Sequence, residues 1–358
     1  MRICFDGRGL AGKLTGAGKA LSFLLRQLRQ DFPQHDYVVV APSNHSDWRL
    51  PRQLFWEQIQ FPVRVTRERA DILHAPGGTS APLIRYGKSV MTVHDIAPTR
   101  HPEFLPHARS RWYWGRWVPF TAKFADAILV PSAATKRDLV ECIGVPEHKI
   151  HVTPLGLALD LTEPVTPTRV EKVRSTYRLP VSYLLYVGTI DRRKDYATLL
   201  RALNYLDKDI FLVVAGTVIK GRTDFPQLVE QLGLQERVAV LGYVPDRDLP
   251  VLYREALAFV YPTFYEGFGL PVLEAMACGT PVITYNVTSL PEVAGDAGIL
   301  LDLPVSPEIL AEHVTRIRRD GALRQHHVEL GLEQAKHFEW KTTARLTVQA
   351  YESLLGRF

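Results

Sequence analysis

Short apolar runs alternate along this chain with longer stretches in which apolar residues recur every three or four positions. In the first half the runs fall at residues 2–6, 37–41, 72–75, 89–93 and 127–130, and several are rich in valine, isoleucine and leucine. They predict parallel strands buried on both faces. Between the first two, Leu21, Leu24, Leu25 and Leu28 have the spacing of one helical face and predict a helix over 19–30. A run at 150–156 closes this series. The pattern starts again at Tyr183 with YLLYVG and continues through runs at 210–216 and 238–242, a helix over 248–256 and a further run over 256–261. Strands alternating with helices predict an α/β class with doubly wound parallel sheets. A chain of 358 residues is too long for one ordinary core. Two domains are therefore expected, over 1–160 and 171–339, joined by residues 157–170 with Pro164 and Pro167. Helical stretches fill the C-terminal part and end in a last helix over about 340–358.

The densest chemistry follows the run at 256–261. The sequence EGFGLPVLEAMACGTPVI reads as a glycine-bearing turn, a helix opened by Pro271 and closed by Gly279, and another strand. Glu266 is expected in the turn and Glu274 in the first helical turn, so that both carboxylates lie above the carboxyl end of a strand. Open α/β sheets bind ligands there. A carboxylate accepts two neighbouring O–H donors with charge-assisted strength, which suits sugar hydroxyls. The amides around Gly267, Phe268, Gly269 and Leu270 fall at the positive end of the helix and suit a phosphate. On the residues alone, a capping Glu266, a Glu274 favoured by the helix dipole and purely structural glycines are the competing account.

Three other stretches join this one. After YLLYVG the chain reads TIDRRKDY, so Gly188 and Thr189 end a strand and Arg193 and Lys194 follow it. Arginine grips a phosphate through two hydrogen bonds and lysine supplies a point charge, although such a pair is often only surface charge. The loop DGRGLAGKLTGAG lets backbone at Gly16, Ala17 and Gly18 approach an anion, with Lys19 in reach, or simply turns the chain. It lacks the third glycine and the later acid of a dinucleotide fingerprint. His94 and Asp95 close the run at 89–93. A histidine there can hydrogen-bond a sugar, with Asp95 orienting its ring, or both can serve the loop.

Composition narrows the setting. The chain is 46% hydrophobic and 23% charged, the balance of a folded soluble protein, and nothing suggests disorder. Cys4, Cys142 and Cys278 have no zinc or disulfide spacing, which fits a reducing cytoplasm. After Arg2 and Arg8 the N-terminus has no apolar run of signal-peptide length, and no run anywhere approaches the length of a membrane span. The net charge of +5 is unevenly spread: residues 1–160 hold 21 Lys and Arg against 14 Asp and Glu, and the remainder hold 22 against 24. A phosphate-bearing acceptor or an anionic membrane surface would be drawn to the first half. Residues 107–126 mix Arg109, Arg111, Arg116 and Lys123 with Trp112, Tyr113, Trp114, Trp117 and Phe120. That mixture suits a helix lying in a bilayer interface, or one packing its tryptophans on the sheet.

EGFGLPVLEAMACGTPVI closely resembles the signature of the retaining GT-B glycosyltransferases of glycosyltransferase family 4, in which two glutamates with seven residues between them frame the donor. The resemblance runs from Gly242 to Leu301 and recurs at 183–195, 89–102 and 126–156. It implies the GT-B fold, two Rossmann-like domains facing across a cleft with the last helix crossing back to the first domain. It further implies transfer of a sugar from a nucleotide diphosphosugar to a glycan or lipid-linked acceptor hydroxyl with retention. Arg193 and Lys194 would bind the donor phosphates, Glu266 the sugar hydroxyls, Glu274 the ribose and His94 the sugar. The glycine-rich loop with Gly16 and Gly18 would lie over the diphosphate, and Tyr243 and Val244 would hold the nucleobase through main-chain groups. No covalent nucleophile, cofactor or essential metal is expected, and no nucleic acid partner. The mannosyltransferase-like features make GDP-mannose the first choice of donor, in polysaccharide or glycolipid synthesis on the inner face of the plasma membrane. Thr189, Asp195 and Lys19-Ala20 depart from the commoner family pattern, at the phosphates and at the acceptor. A disaccharide phosphorylase on the same fold and a non-catalytic nucleotide-binding protein at the membrane are the alternatives.

Overall fold

The computed structural model describes residues 1–10, 16–42, 50–77, 80–84, 87–105, 107–159, 161, 164–219 and 223–356. It divides into two compact units, Met1–Ala158 with Phe338–Phe358, and Leu159–His337.

The first unit holds a six-stranded sheet of β1 (Arg2–Asp6), β2 (Asp36–Val40), β3 (Ile72–Ala75), β4 (Lys88–Thr92), β5 (Ala127–Val130) and β6 (Ile150–Val152), in the order β2-β1-β3-β4-β5-β6. Every pairing is parallel, with Phe5 beside Val39 on one side and beside His74 on the other. The strand interiors are mostly apolar and buried, as expected of a parallel sheet covered on both faces. Leu21, Leu24, Leu25 and Leu28 of the helix Gly16–Asp31 are all buried, as their spacing predicts.

That helix begins at Gly16 and not at Lys19, so Gly16 and Gly18 belong to its first turn and not to the preceding loop. Residues 11–15 of the loop lie outside the described residues. The C-terminal helix Trp340–Leu354 packs along the helix Gly16–Asp31, with Trp340 stacked on Phe23 at 5.5 Å between ring centroids. Gly156 is needed where the chain meets it, because a Cβ there would come within 2.4 Å of the Trp340 amide nitrogen. Further along, the Tyr351 hydroxyl lies 2.6 Å from Nδ1 of buried His74, whose Nε2 lies 2.7 Å from the Thr92 hydroxyl.

The second unit repeats the plan with β7 (Ser182–Val187), β8 (Ile210–Ala215), β9 (Val238–Gly242), β10 (Ala258–Tyr261), β11 (Val282–Tyr285) and β12 (Gly298–Leu301), ordered β12-β11-β10-β7-β8-β9. All its strand pairs are parallel. Winding runs outward from β7 to β9, then restarts at β10 on the other side of β7. The carboxyl ends of β7 and β10 therefore flank the switch point of the sheet, the usual ligand crevice of such folds. The stretch expected to be a connection through residue 170 turns helical earlier. Thr166 caps the helix Pro167–Tyr177, accepting from the Arg169 amide, and proline suits the first helical position.

Candidate active site

The loop after β7 and the loop after β10 are zipped together at that switch point. The Asp195 amide donates to the Pro262 carbonyl at 2.9 Å, and the Phe264 amide donates to the Arg193 carbonyl at 3.0 Å. Gly188 opens the first loop with φ of 134°, a conformation that favours glycine, and its amide donates to the Ala215 carbonyl at 3.0 Å. Thr189 beside it is exposed, and its carbonyl accepts from the Tyr186 hydroxyl at 3.1 Å. Asp195, the residue that departs from the family pattern, has a local task. Its carboxylate caps the helix Tyr196–Ala202 by accepting from the Thr198 amide, and it accepts from the Tyr285 hydroxyl at 2.8 Å.

Glu266 comes into this junction from the second loop, and its side chain is only 12% exposed. Its carboxylate is paired with the Lys194 ammonium and accepts from the Tyr261 hydroxyl at 3.0 Å, with the Arg193 guanidinium 3.7 Å away. Burial disfavours the ionised carboxyl, but the charges of Lys194 and Arg193 outweigh it and hold Glu266 below the usual carboxylate range. Lys194 is 3% exposed, donates to the Tyr261 hydroxyl at 2.6 Å and lies 4.1 Å from the centre of that ring. Burial pushes its ammonium down to about 8, an effect that Glu266 only partly offsets.

The signature helix runs Leu270–Ala277. Gly269, with φ of 107°, caps it, and a Cβ there would meet Leu290 at 2.8 Å. Gly279, with φ of 74°, follows its end. Ser289 clamps the turn from the next helix, its hydroxyl donating to the carbonyls of Glu266 and Phe268 at 2.9 Å each. Glu274 is the fifth residue of the helix, so it sits in the second turn rather than the first. It is buried and accepts from the Tyr253 hydroxyl at 2.9 Å. The helix itself is apolar on every other buried position, with Val272, Leu273, Ala275 and Met276 in the core. Tyr243 and Val244 follow β9, the tyrosine exposed and the valine buried, beyond Gly242 with φ of 69°.

Residues 172–333 match the family described as "Glycosyl transferases group 1", and residues 8–161 match that described as "Glycosyltransferase Family 4". O-antigen chain mannosyltransferase B of Escherichia coli is 38% identical over 277 residues, covering 75% of this chain and 71% of that protein. The chain belongs to glycosyltransferase family 4. The family's serotype-specific mannosyltransferase WbdA of Escherichia coli is 28% identical over 277 residues, 75% of this chain but 34% of WbdA, so the match spans about a third of that relative. Among solved structures, sucrose-phosphate synthase from Thermosynechococcus elongatus matches with a TM-score of 0.78 at 22% identity, over 100% of this chain and 99% of that one. Anabaena Alr3699/HepE in complex with UDP and glucose matches with a TM-score of 0.77 at 19% identity, over 99% and 100%. The two Rossmann-like units are those of the GT-B fold, and the chain is a glycosyltransferase.

Family membership directs attention to the first unit as well, which contains His94, Gly16 and Gly18. His94 follows β4, its Nε2 lies 3.2 Å from the Pro76 carbonyl oxygen, and burial holds its pKa below the ordinary histidine value, with Asp95 acting in the opposite sense. Asp95 accepts from the Ala97 amide at 2.9 Å, the loop-turn role. His94 lines a cavity of about 320 Å³ whose walls include Met91, Trp114, Val118 and Ile143. The aromatic and basic stretch is one helical run, Ala108–Trp112, a π turn Tyr113–Trp117 and Val118–Ala122. Tyr113, Val118 and Ala122 are buried, and Trp114 lines the cavity. Trp112, Phe120 and Phe124 are exposed, with Trp117 stacked on Trp112 at 5.7 Å and packed on Phe120 at 6.0 Å.

Reading the sequence alone missed the groups that hold these residues. Tyr261, Tyr253 and Ser289 touch the signature but carry no spacing that marks them. A buried network at the end of β1 was also missed: Arg8 pairs with Asp6 at 2.6 Å and with Glu57 at 3.0 Å, and Glu57 accepts from the Tyr113 hydroxyl at 2.6 Å. Among the described residues there is no group of three or more His, Cys, Asp or Glu that could hold a metal ion, and no helix is long and apolar enough to cross a membrane.

Proposed function

We propose that this glycosyltransferase transfers mannose from GDP-mannose to a hydroxyl of a glycan or lipid-linked acceptor, with retention of configuration, in polysaccharide synthesis. The observation that carries the reading is the assembly of Glu266, Lys194 and Arg193 at the sheet's switch point, beside the amino end of the helix bearing Glu274. The identity to the Escherichia coli mannosyltransferase supports the choice of sugar.

In this reading the reaction rests on stabilising the departing diphosphate as the bond to the sugar breaks. Arg193 offers a planar fork of donors. The Lys194 ammonium has three donor positions, and Glu266 and the Tyr261 hydroxyl take two of them. The third serves a phosphate oxygen. The helix dipole at Gly269 and Leu270 adds positive potential at the same place. Glu266 receives the sugar hydroxyls, Glu274 the ribose, Tyr243 and Val244 the base, and His94 with the turn of Gly16 and Gly18 serves from the first unit. Arg193 and Lys194 supply the charge that a cation would otherwise bring, so no metal is required. The first unit, with its basic excess and the exposed Trp112, Phe120 and Phe124, meets an anionic membrane face on the cytoplasmic side.

The deciding experiment incubates the purified protein with GDP-mannose, UDP-glucose and a mannosylated oligosaccharide acceptor, and reads product by mass and anomeric configuration by NMR. An α-linked mannose from GDP-mannose is the expected product. Transfer from UDP-glucose alone, or inversion, would overturn the donor or the stereochemistry, and formation of a sugar 1-phosphate in a parallel incubation with a disaccharide and inorganic phosphate would favour a phosphorylase.

A further inference from the structure

The two signature glutamates rest on hydroxyls that come from beneath them. Tyr261, the last residue of β10, is 4% exposed and gives its hydroxyl to Glu266. Tyr253, in the helix Leu249–Glu255, is fully buried and gives its hydroxyl to Glu274. The two rings are joined through Phe259, which packs on Tyr253 at 5.4 Å and stacks on Tyr261 at 5.5 Å. Tyr186 on β7 continues the stack at 5.7 Å from Tyr261, and its own hydroxyl fixes the Thr189 carbonyl in the phosphate-side loop. We propose that Tyr261 and Tyr253 are positioning residues, each orienting one glutamate of the signature, with Phe259 and Tyr186 locking the rings so that the two carboxylates keep a fixed spacing. This rests on the roles given above to Glu266 and Glu274.

The chemistry favours hydroxyls here over apolar caps. A buried carboxylate loses water on its enclosed side, and a phenol supplies one donor there while leaving acceptor positions for a ligand. Tyrosine ionisation is far out of reach in both places, since burial and the facing glutamate raise both phenols well above their usual value. Each hydroxyl therefore stays a donor. Buried rings packed against neighbouring aromatics have few rotamers to choose from, so the donor is held where the carboxylate must be, which is what a preorganised site requires.

Phenylalanine at each position keeps the ring and removes the hydroxyl, which at Tyr261 takes away both the donor to Glu266 and the acceptor of a Lys194 hydrogen bond. Steady-state kinetics with GDP-mannose and calorimetric titration with GDP and UDP, together with melting midpoints, would be compared for the parent, Tyr261→Phe, Tyr253→Phe, Glu266→Gln and Glu274→Gln. Losing a hydrogen bond to a charged group is worth roughly 10- to 100-fold. Tyr261→Phe is expected to lower kcat by that order with donor KM little changed, and to add nothing further in a Glu266→Gln background. Tyr253→Phe is expected to weaken nucleotide binding roughly tenfold with kcat largely kept. A merely structural role would lower the midpoint and leave kcat and KM of the folded enzyme at parental values, and that result would overturn the inference. If the glutamate variants also behave like the parent, or the parent neither turns over GDP-mannose nor binds GDP or UDP, the proposed roles fail first and the inference goes with them.

Discussion

The Lys194 ammonium and the Glu266 carboxylate, 72 residues apart in the chain, form a buried ion pair where the loops after β7 and β10 meet. Each is the other's main compensation for lost water, so removing one partner strands a charge. Lys194→Met is expected to cost about 3–5 kcal/mol of stability, the usual penalty for breaking a buried pair. Adding Glu266→Gln to it should restore much of that loss, because neither charge then remains. Activity should fall by roughly 100-fold or more in both variants, as on losing a donor that meets developing charge. Denaturant melts beside donor turnover check this, and a double variant that regained activity would remove Lys194 from the reaction.

Much of this junction was legible beforehand and some was not. Both glutamates, Arg193 and Lys194 stand out because their strands, glycines and helix punctuation are local signals with short spacing. The pairing of Lys194 with Glu266 could not be read, since it depends on β10 lying beside β7, a contact between distant segments. The sequence puts Glu274 in the first helical turn and the structure in the second, because Pro271 is the second helical residue and Gly269 the cap, a boundary that composition alone does not fix. The helix start at Gly16 was missed similarly, since three small residues read as loop. In residues 107–126 the mixture of types was visible, but its division into a buried face and an exposed one depends on a π turn that shifts the helical phase.

Lys194 also sets a pH dependence. Burial brings its ammonium down to about 8, against 10.5 for an ordinary lysine. As pH rises past about 8 the folded protein loses that charge, and turnover should decline on the alkaline side with an apparent pKa near 8. Between that point and about 10.5 the unfolded chain keeps a proton that the folded one has lost, so this group makes stability rise with pH over the same window. Activity falling while the Lys194 contribution to stability rises is the expected signature, read as the difference between the parent and Lys194→Arg because the buried Cys4 and Cys278 thiols act in the opposite sense above about pH 9. Lys194→Arg, which keeps its charge, should move the alkaline limb upward.

Nucleotide binding reports on the signature helix directly. A nucleoside diphosphate at about 100 times its dissociation constant adds about 2.7 kcal/mol, enough to raise the melting midpoint by several degrees. GDP is expected to do this, and UDP, ADP and dTDP much less, with the GDP shift reduced in Glu274→Ala. Chelation with EDTA should leave both the shift and turnover in place. A shift with UDP alone would reassign the donor, and loss of activity on chelation restored by a divalent cation would contradict the metal-free mechanism.

The exposed aromatics of the first unit predict where a membrane would be met. Trp112, Phe120 and Phe124 are each more than 40% exposed, whereas Trp114 lines the cavity and Trp117 packs between Trp112 and Phe120. The triple variant Trp112→Ala, Phe120→Ala, Phe124→Ala should lose most of its sedimentation with vesicles containing phosphatidylglycerol while melting near the parental midpoint. Binding should weaken steeply with salt, because Arg109, Arg111, Arg116 and Lys123 act through a screened surface potential. Unchanged vesicle binding by the triple variant would take this face out of membrane contact.

His74 predicts an acid limit that belongs to the fold rather than to the chemistry. It is fully buried between the Tyr351 and Thr92 hydroxyls, and burial, with His94 as a lesser cause, pushes its pKa from 6.5 down to about 3. The folded state therefore keeps the ring neutral, while the unfolded chain takes up a proton below about 6.5. Stability should fall as pH drops through that window, at up to about 1.4 kcal/mol per pH unit for this one group. Because Tyr351 lies in the C-terminal helix, its release from the first unit's sheet should accompany the loss, seen as early hydrogen exchange over residues 340–354. His74→Gln, which cannot take up a proton, should flatten the slope of stability against pH between about 6.5 and 3, even if it lowers stability at neutral pH. An unchanged slope in that variant would assign the acid limit to other groups.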